Sequence, residues 1–459
     1  MAHPMTDGAL PIPVPLGWSG KAKRTKEQPI SFLIAEAFRN PRLINLAAGL
    51  VDPYSLPVAE TRRIADAILS DTDRGRRALQ YDTTAGLADL RRLCHRHLAS
   101  LEGVAPESLP YSPDDMIVTT GSQQALYLIG DLLADPGDIV IAANPSYFVY
   151  TGTLQSLGAH VMAVPMDDGG MDVGAVAALL ERLDREGRID RVKFVYCTSY
   201  FDNPTGLSLA PDRRPKLLEL VKRYSRRHRI LILEDAAYRE LRYDGPAVRS
   251  IKSYDERNEF VATSYTFSKP FSPGLKLGYT AMPKDLAHAM LQQKGNHDFG
   301  SSSLAMHIAA TAMADGTYAA QVEKLRATYR AKRDRTLAAL DRAFGAETRG
   351  GAAGPRVTYT RPDGGLYVWV TLPDGLDASR TGPLFAAALE AGVLYVPGDY
   401  CFQPDERGHV PTNHLRLCFG QLHPDQIEPG IERLAAAIAR VAGPAPAAAA
   451  HAEPAGVAR

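Results

Sequence analysis

The chain reads as an α/β protein in which a mainly parallel central sheet is covered by helices and joined to a smaller α+β domain. Three observations predict this. Short apolar, β-branched runs alternate with helical patterns through the middle of the chain. Those runs are apolar almost throughout, as strands buried on both faces are. Beyond residue 318 the pattern changes to long helices around one alternating strand.

Residues 1–28 carry prolines and glycines without periodicity and read as an N-terminal arm. Residues 87–101 follow a helical period. A short strand at 116–120 leads into a helix at 123–133, which Asp135-Pro136-Gly137 ends. Strands follow at 139–142 and 192–197, then an amphipathic helix at 214–227. The apolar strand 230–233 ends at Glu234-Asp235, and 260–263 is the next strand. A long helix is expected over 318–344, a half-buried strand at 366–372 and a last helix at 427–441. Residues 443–459 are Ala/Pro-rich low complexity and are expected to be disordered. The pattern assigns 61–324 to a large domain. Residues 29–60 and 325–442 together form the small one.

At 459 residues the chain can bury more than one core. Apolar residues make up 45% and charged ones 23%, the ordinary globular balance. Lys+Arg and Asp+Glu both number 52, so bulk charge draws the chain to neither nucleic acid nor a membrane surface. No apolar run has membrane-spanning length, and the N-terminus lacks the pattern of a signal peptide. Cys94, Cys197, Cys401 and Cys418 are scattered without a CxxC pair and read as reduced thiols of a cytoplasmic protein. No histidine spacing suits a metal, and Cys94-His95-Arg96-His97 reads as the solvated face of a helix.

Chemistry concentrates in Thr266-Phe-Ser-Lys-Pro-Phe-Ser-Pro-Gly-Leu-Lys-Leu-Gly-Tyr279. Lys269 stands behind two hydroxyls, Thr266 and Ser268, and seven residues ahead of a second cation, Lys276. That grouping suits a phosphorylated aldehyde: the amine forms an imine and the other groups hold the phosphate. The stretch resembles the pyridoxal-phosphate lysine motif of class I/II (fold type I) aminotransferases, Ser-x-Ser-Lys followed by Pro-Gly-x-Arg-x-Gly. Here Lys276 replaces the motif's arginine.

Further motifs follow in that family's order. Gly121-Ser122-Gln123 follows the 116–120 strand; a glycine turn into a helix N-terminus suits a phosphate, and Ser122 suits a helix cap equally well. In the resemblance Ser122 and Gln123 cradle the phosphate. Asp235 at a buried strand end needs a partner. The resemblance supplies a protonated pyridine nitrogen for it, with Tyr238 donating to the ring's phenolic oxygen. Asn203, in Asn-Pro-Thr-Gly206, matches the asparagine that bonds the same oxygen, and Asp202 before it stands where relatives carry a neutral side chain. Tyr147 matches the aromatic that stacks on the ring, with Phe148 its competitor. Tyr81 matches the segment that reaches a partner chain's phosphate. Arg416 matches the fork for the substrate α-carboxylate, and Gly49 the point where backbone approaches substrate. Gly364-Gly-Leu-Tyr-Val-Trp369 matches a small-domain strand and reads as structural.

The resemblance spans roughly residues 30–440 and implies a pyridoxal 5'-phosphate enzyme of the kynurenine/2-aminoadipate type. It would transfer an amino group between an L-amino acid and a 2-oxo acid by a ping-pong mechanism, as a homodimer with shared active sites. An alternative uses the same chemistry for β/γ-elimination, substitution or cyclisation. His297 and Asp298, in the polar segment 292–300, could be an acid/base pair, read the substrate side chain, or simply be solvated. A regulator that borrows the fold is a third reading, disfavoured because the irregular arm leaves no room for a DNA-binding domain.

Overall fold

The computed structural model describes residues 16–345 and 357–442. The tail at 443–459 and the first half of the expected arm lie outside them. Strand β1 (Ile44–Asn45) precedes β2 (Met116–Thr119), β3 (Ile139–Asn144), β4 (His160–Asp167) and β5 (Gly170–Met171). With β6 (Val192–Thr198), β7 (Leu231–Asp235), β8 (Val261–Thr266) and β9 (Gly278–Ala281), strands β2 to β5 build one sheet. Its order is β2-β9-β8-β7-β6-β3-β4-β5. Neighbours from β8 across to β4 run parallel, whereas β9 is antiparallel to both β2 and β8. The inner strands are buried almost throughout, because helices cover both faces.

This topology decides where a ligand can bind. Parallel strands direct their carboxyl ends, and the loops that follow, to one edge of the sheet. Leaving β7 comes Asp235; leaving β8 come Ser268 and Lys269; after β6 comes Asn203; after β2 comes Gly121.

A second sheet holds β10 (Thr358–Tyr359), β11 (Tyr367–Thr371), β13 (Val396–Pro397) and β14 (His414–Cys418). It is antiparallel in the order β10-β11-β14-β13. Between β11 and β13 runs β12 (Val393–Leu394), which pairs in parallel with β1 and so ties the N-terminal segment to the C-terminal part. The helices Thr317–Phe344 and Pro424–Ala442 pack on each other beside this sheet.

Three expectations change. The strand foreseen at 366–372 is not half-buried: Tyr367 to Val370 are all buried, because the large sheet's loops cover its other face, with the Tyr367 carbonyl close against Gly206. The segment Cys94–His97 is not a solvated face. Cys94 is buried, His95 Nε2 bonds the Tyr111 carbonyl at 2.9 Å, and His97 pairs with Glu240 at 2.9 Å. Helix Pro29–Arg39 was not foreseen, since its apolar residues follow an aperiodic arm.

Candidate active site

One cavity of about 280 Å³ lies at the carboxyl edge of the large sheet, between it and β11 and β14. Gly49, Ser122, Gln123, Tyr147, Asn203 and Asp235 all line it. So do Tyr238, Thr266, Ser268, Lys269, Lys276 and Arg416. Of the residues expected to bind cofactor or substrate, Tyr81 alone lies elsewhere: it is 82% exposed and packs edge-on against Phe299 at 5.5 Å.

Lys269 reaches into this space from the turn after β8. Its Nζ donates to the Gly49 carbonyl at 2.9 Å and lies 5.6 Å from the Tyr238 ring centre. Burial pushes its pKa down to about 8, helped by the nearby Arg416 charge and opposed by Cys418 and Asp235. A Cβ on Gly49 would stand 2.5 Å from the Tyr367 hydroxyl and would have to push that ring aside.

Asp235 ends β7 at 5% exposure. Tyr196 donates to Oδ2 at 3.0 Å and the Ala237 amide to Oδ1 at 3.2 Å. Burial still raises its pKa to about 6, against those two bonds and the Lys269 charge. No cation pairs with it directly among the described residues, so a ligand's protonated ring nitrogen fits this carboxylate.

Thr266 and Ser268 bring their hydroxyls together at 3.0 Å, and the Ser268 amide bonds Thr266 Oγ1 at 3.1 Å. Facing them is the start of helix Ser122–Leu133. Gly121, with φ +74°, holds the cap position, so Ser122 is the first helical residue rather than the cap. Its hydroxyl is thus left for a ligand, beside the free N–H groups of the first turn. Gly278 allows this approach: a Cβ there would meet the Ser122 amide nitrogen at 2.7 Å. Lys276 borders the cavity in a left-handed conformation, φ +52°. Hydroxyls, helix N–H groups and one ammonium suit a phosphate dianion.

Arg416 projects from β14 at 2% exposure. Nη1 donates to Asn203 Oδ1 at 2.7 Å and Nη2 to the Ala47 carbonyl at 2.6 Å, while its buried Nε has no partner. A guanidinium buried without a carboxylate partner is costly, and an incoming carboxylate removes that cost.

Tyr367 was missed as a site residue. Its hydroxyl lies 2.8 Å from that of Tyr238, and its ring centre is 4.5 Å from the Arg416 guanidinium carbon. It lies in the Gly364–Trp369 motif that reads as structural; the packing of β11 against β14 brings it into the site. His297 and Asp298 do not border this cavity. Asp298 instead accepts from Lys294, Gln124 and Thr120 at 2.6–3.1 Å, behind the Gly121 turn. Asp202 is buried, at 3% exposure, and does not border this cavity.

Fold and cavity together define a class: an α/β enzyme with a buried amine for a carbonyl group, a cradle for phosphate and a fork for carboxylate. The profile of the family "Aminotransferase class I and II" matches residues 41–434. An aromatic-amino-acid aminotransferase of Thermococcus litoralis is 33% identical over 397 residues, covering 86% of this chain and 88% of its own. The 2-aminoadipate transaminase of Thermus thermophilus is 32% identical over 430 residues, covering 92% and 98%. The crystal structure of Pyrococcus horikoshii kynurenine aminotransferase, in complex with PMP, superposes with a TM-score of 0.81. It is 32% identical and covers 92% of this chain and 96% of its own. The chain belongs to the class I and II aminotransferase family, and it is an enzyme that transfers amino groups. These likenesses favour amino transfer over the elimination, substitution or cyclisation also open to the sequence. Among the described residues no helix is long and apolar enough to cross a membrane.

Proposed function

We propose that the enzyme uses pyridoxal 5'-phosphate bound to Lys269, works as a cytoplasmic homodimer, and takes L-amino acids with large apolar or aromatic side chains. The observation that carries this reading is the pairing of one half-buried amine, Lys269, with one buried carboxylate, Asp235, across a single cavity. When bound, the cofactor supplies an aldehyde that takes up the amino group and a pyridinium ring that draws electrons from the substrate Cα.

The chain's own residues do the rest. Asp235 holds a proton on the ring nitrogen by its charge. Tyr238, through its hydroxyl, and Asn203, through the amide nitrogen that Arg416 leaves free, donate to the phenolic oxygen. Tyr147 covers one ring face and excludes water. Ser122, Gln123, Thr266, Ser268 and Lys276 hold the phosphate, with Tyr81 of the partner subunit completing the cradle. Arg416 orients the substrate by its α-carboxylate, beside the Gly49 backbone. Lys269 Nζ, once free, would take the Cα proton and return it to the cofactor's former aldehyde carbon, on the far side of the amino nitrogen. A pKa lowered to about 8 leaves a useful fraction of that amine unprotonated near neutral pH.

Apolar Ile30, Leu50, Leu126, Phe148 and Val149 line the same cavity and support a large apolar substrate. Incubating the holoenzyme with single amino acids and no oxo acid tests the chemistry. One equivalent of 2-oxo acid per site, with loss of the visible cofactor band, is expected. Continued turnover without an acceptor contradicts it.

A further inference from the structure

Tyr238 and Tyr367 place their hydroxyls 2.8 Å apart, and both residues are buried, at 5% and 1% exposure. Neither hydroxyl bonds any other group among the described residues. Each phenol carries one hydrogen. One hydrogen lies between the two oxygens, so the other is left over. A buried donor without an acceptor is costly. Both residues line the cavity, so a ligand is the acceptor within reach.

Which phenol keeps the spare hydrogen decides what it can serve. If Tyr238 donates to Tyr367, the spare hydrogen sits on Tyr367, beside Gly49 and Arg416. If Tyr367 donates to Tyr238, it sits on Tyr238 and can reach the cofactor's phenolic oxygen. The Arg416 charge favours the second arrangement. Its guanidinium carbon lies 4.5 Å from the Tyr367 ring centre. A cation beside a phenol makes that phenol more acidic and so a better donor. Burial raises both hydroxyls. Arg416 is the main force opposing that rise at Tyr367, which reaches about 12, and the least of the causes at Tyr238, which goes well above its usual value. Were Tyr367 to ionise, Tyr238 would donate to its anion; with both phenols neutral, the stronger acid donates.

We infer that Tyr367 is a positioning residue: it donates to Tyr238 and so commits the Tyr238 hydrogen to the cofactor's phenolic oxygen. No proton leaves its oxygen; Tyr367 sets only the direction and strength of the bond, since a donor into Tyr238 polarises its O–H. The other groups that face the pair are Tyr147, Asp202, and Arg416 and Cys418 of β14. Lys269 Nζ lies 5.6 Å from the Tyr238 ring centre, but it gives up its ammonium once it carries the cofactor.

This inference rests on the cofactor reading proposed above, and its test separates the two. The visible band of the holoenzyme changes with pH as the imine nitrogen on Lys269 gains a proton, which the negative phenolic oxygen favours. A donor to that oxygen draws off its charge and lowers the pH of the change. Tyr238→Phe removes the donor and should raise that pH by about 1–2 pH units. Tyr367→Phe keeps the ring on Arg416 and loses only the hydroxyl. It should raise the pH by about 0.2–0.5 pH units in the native background and add nothing in Tyr238→Phe. Replacing Tyr367 by 3-fluorotyrosine, a stronger acid and so a stronger donor, should lower it, and decides alone if either phenylalanine variant does not fold. Spectrophotometric titration of each holoenzyme reads these shifts. A fall in Tyr367→Phe would mean that Tyr238 donates to Tyr367, and overturns the inference. So does the absence of a shift, an equal shift in the Tyr238→Phe background, or a rise with 3-fluorotyrosine. Failure of the native protein to bind pyridoxal phosphate on Lys269 overturns the earlier reading instead.

Discussion

Lys269, Asp235 and Arg416 share one physical predicament: each is a charged group taken out of water without an opposite charge bonded to it in the protein. Such arrangements are costly and persist where a ligand supplies the missing partner. Arg416→Lys keeps the charge and loses the fork, so KM for the amino acid should rise roughly 10- to 100-fold. Cofactor affinity, measured by equilibrium titration, should stay unchanged. Gly278→Ala places a methyl against the Ser122 amide, so its effect should fall on cofactor affinity, with a stability loss of about 1–3 kcal/mol by thermal denaturation. The residues that carry these effects differ in how readable they were. Lys269, Asp235 and Asn203 stand in short motifs whose chemistry is local. Tyr367 depends on strands distant in sequence meeting side by side, and no spacing reports that. Gly278 could be read as a glycine, but the backbone it must clear comes from another loop.

At the scale of elements, helix Ser122–Leu133 is held from behind by helix Lys284–His297. Lys294, fully buried, pairs with Asp298 at 2.7 Å. Asp298 holds Gln124 and Thr120, and Gln124 Oε1 takes the Thr120 amide at 2.8 Å. The phosphate-facing turn therefore rests on one ion pair between the buried Lys294 and the half-buried Asp298. Asp298→Ala strands the Lys294 charge and should cost about 3–5 kcal/mol, whereas Lys294→Met removes that charge and should cost less. Chemical denaturation of both variants checks the order; equal losses would mean that the pair does not brace the turn. Polar composition made this segment look solvated or catalytic. Burial of Lys294 by the fold decides otherwise. Five strands of the large sheet were legible from apolar runs, but β4, β5 and β9 were not read; β9, the one antiparallel strand inside the sheet, has four residues, Gly-Tyr-Thr-Ala, that merge into the lysine loop.

For the whole molecule, the sequence pattern foretold the mainly parallel α/β sheet and a second, smaller sheet, because buried strands and amphipathic helices differ in period. Assembly is another matter. Tyr81 and Phe299 form an exposed aromatic pair away from their own cavity. If Tyr81 serves the partner subunit's phosphate, mixing inactive Lys269→Ala chains with Tyr81→Ala chains should restore about a quarter of native sites in random hybrids. Activity assays after mixing and reassociation check this; no recovery contradicts the shared site. The central claim is that Lys269 carries the cofactor, and reductive trapping tests it most directly. Borohydride treatment of the holoenzyme, then digestion and mass spectrometry, should find one reduced pyridoxal phosphate per chain on the peptide containing Lys269. Label on another lysine, or no label on a protein that retains activity, would contradict it.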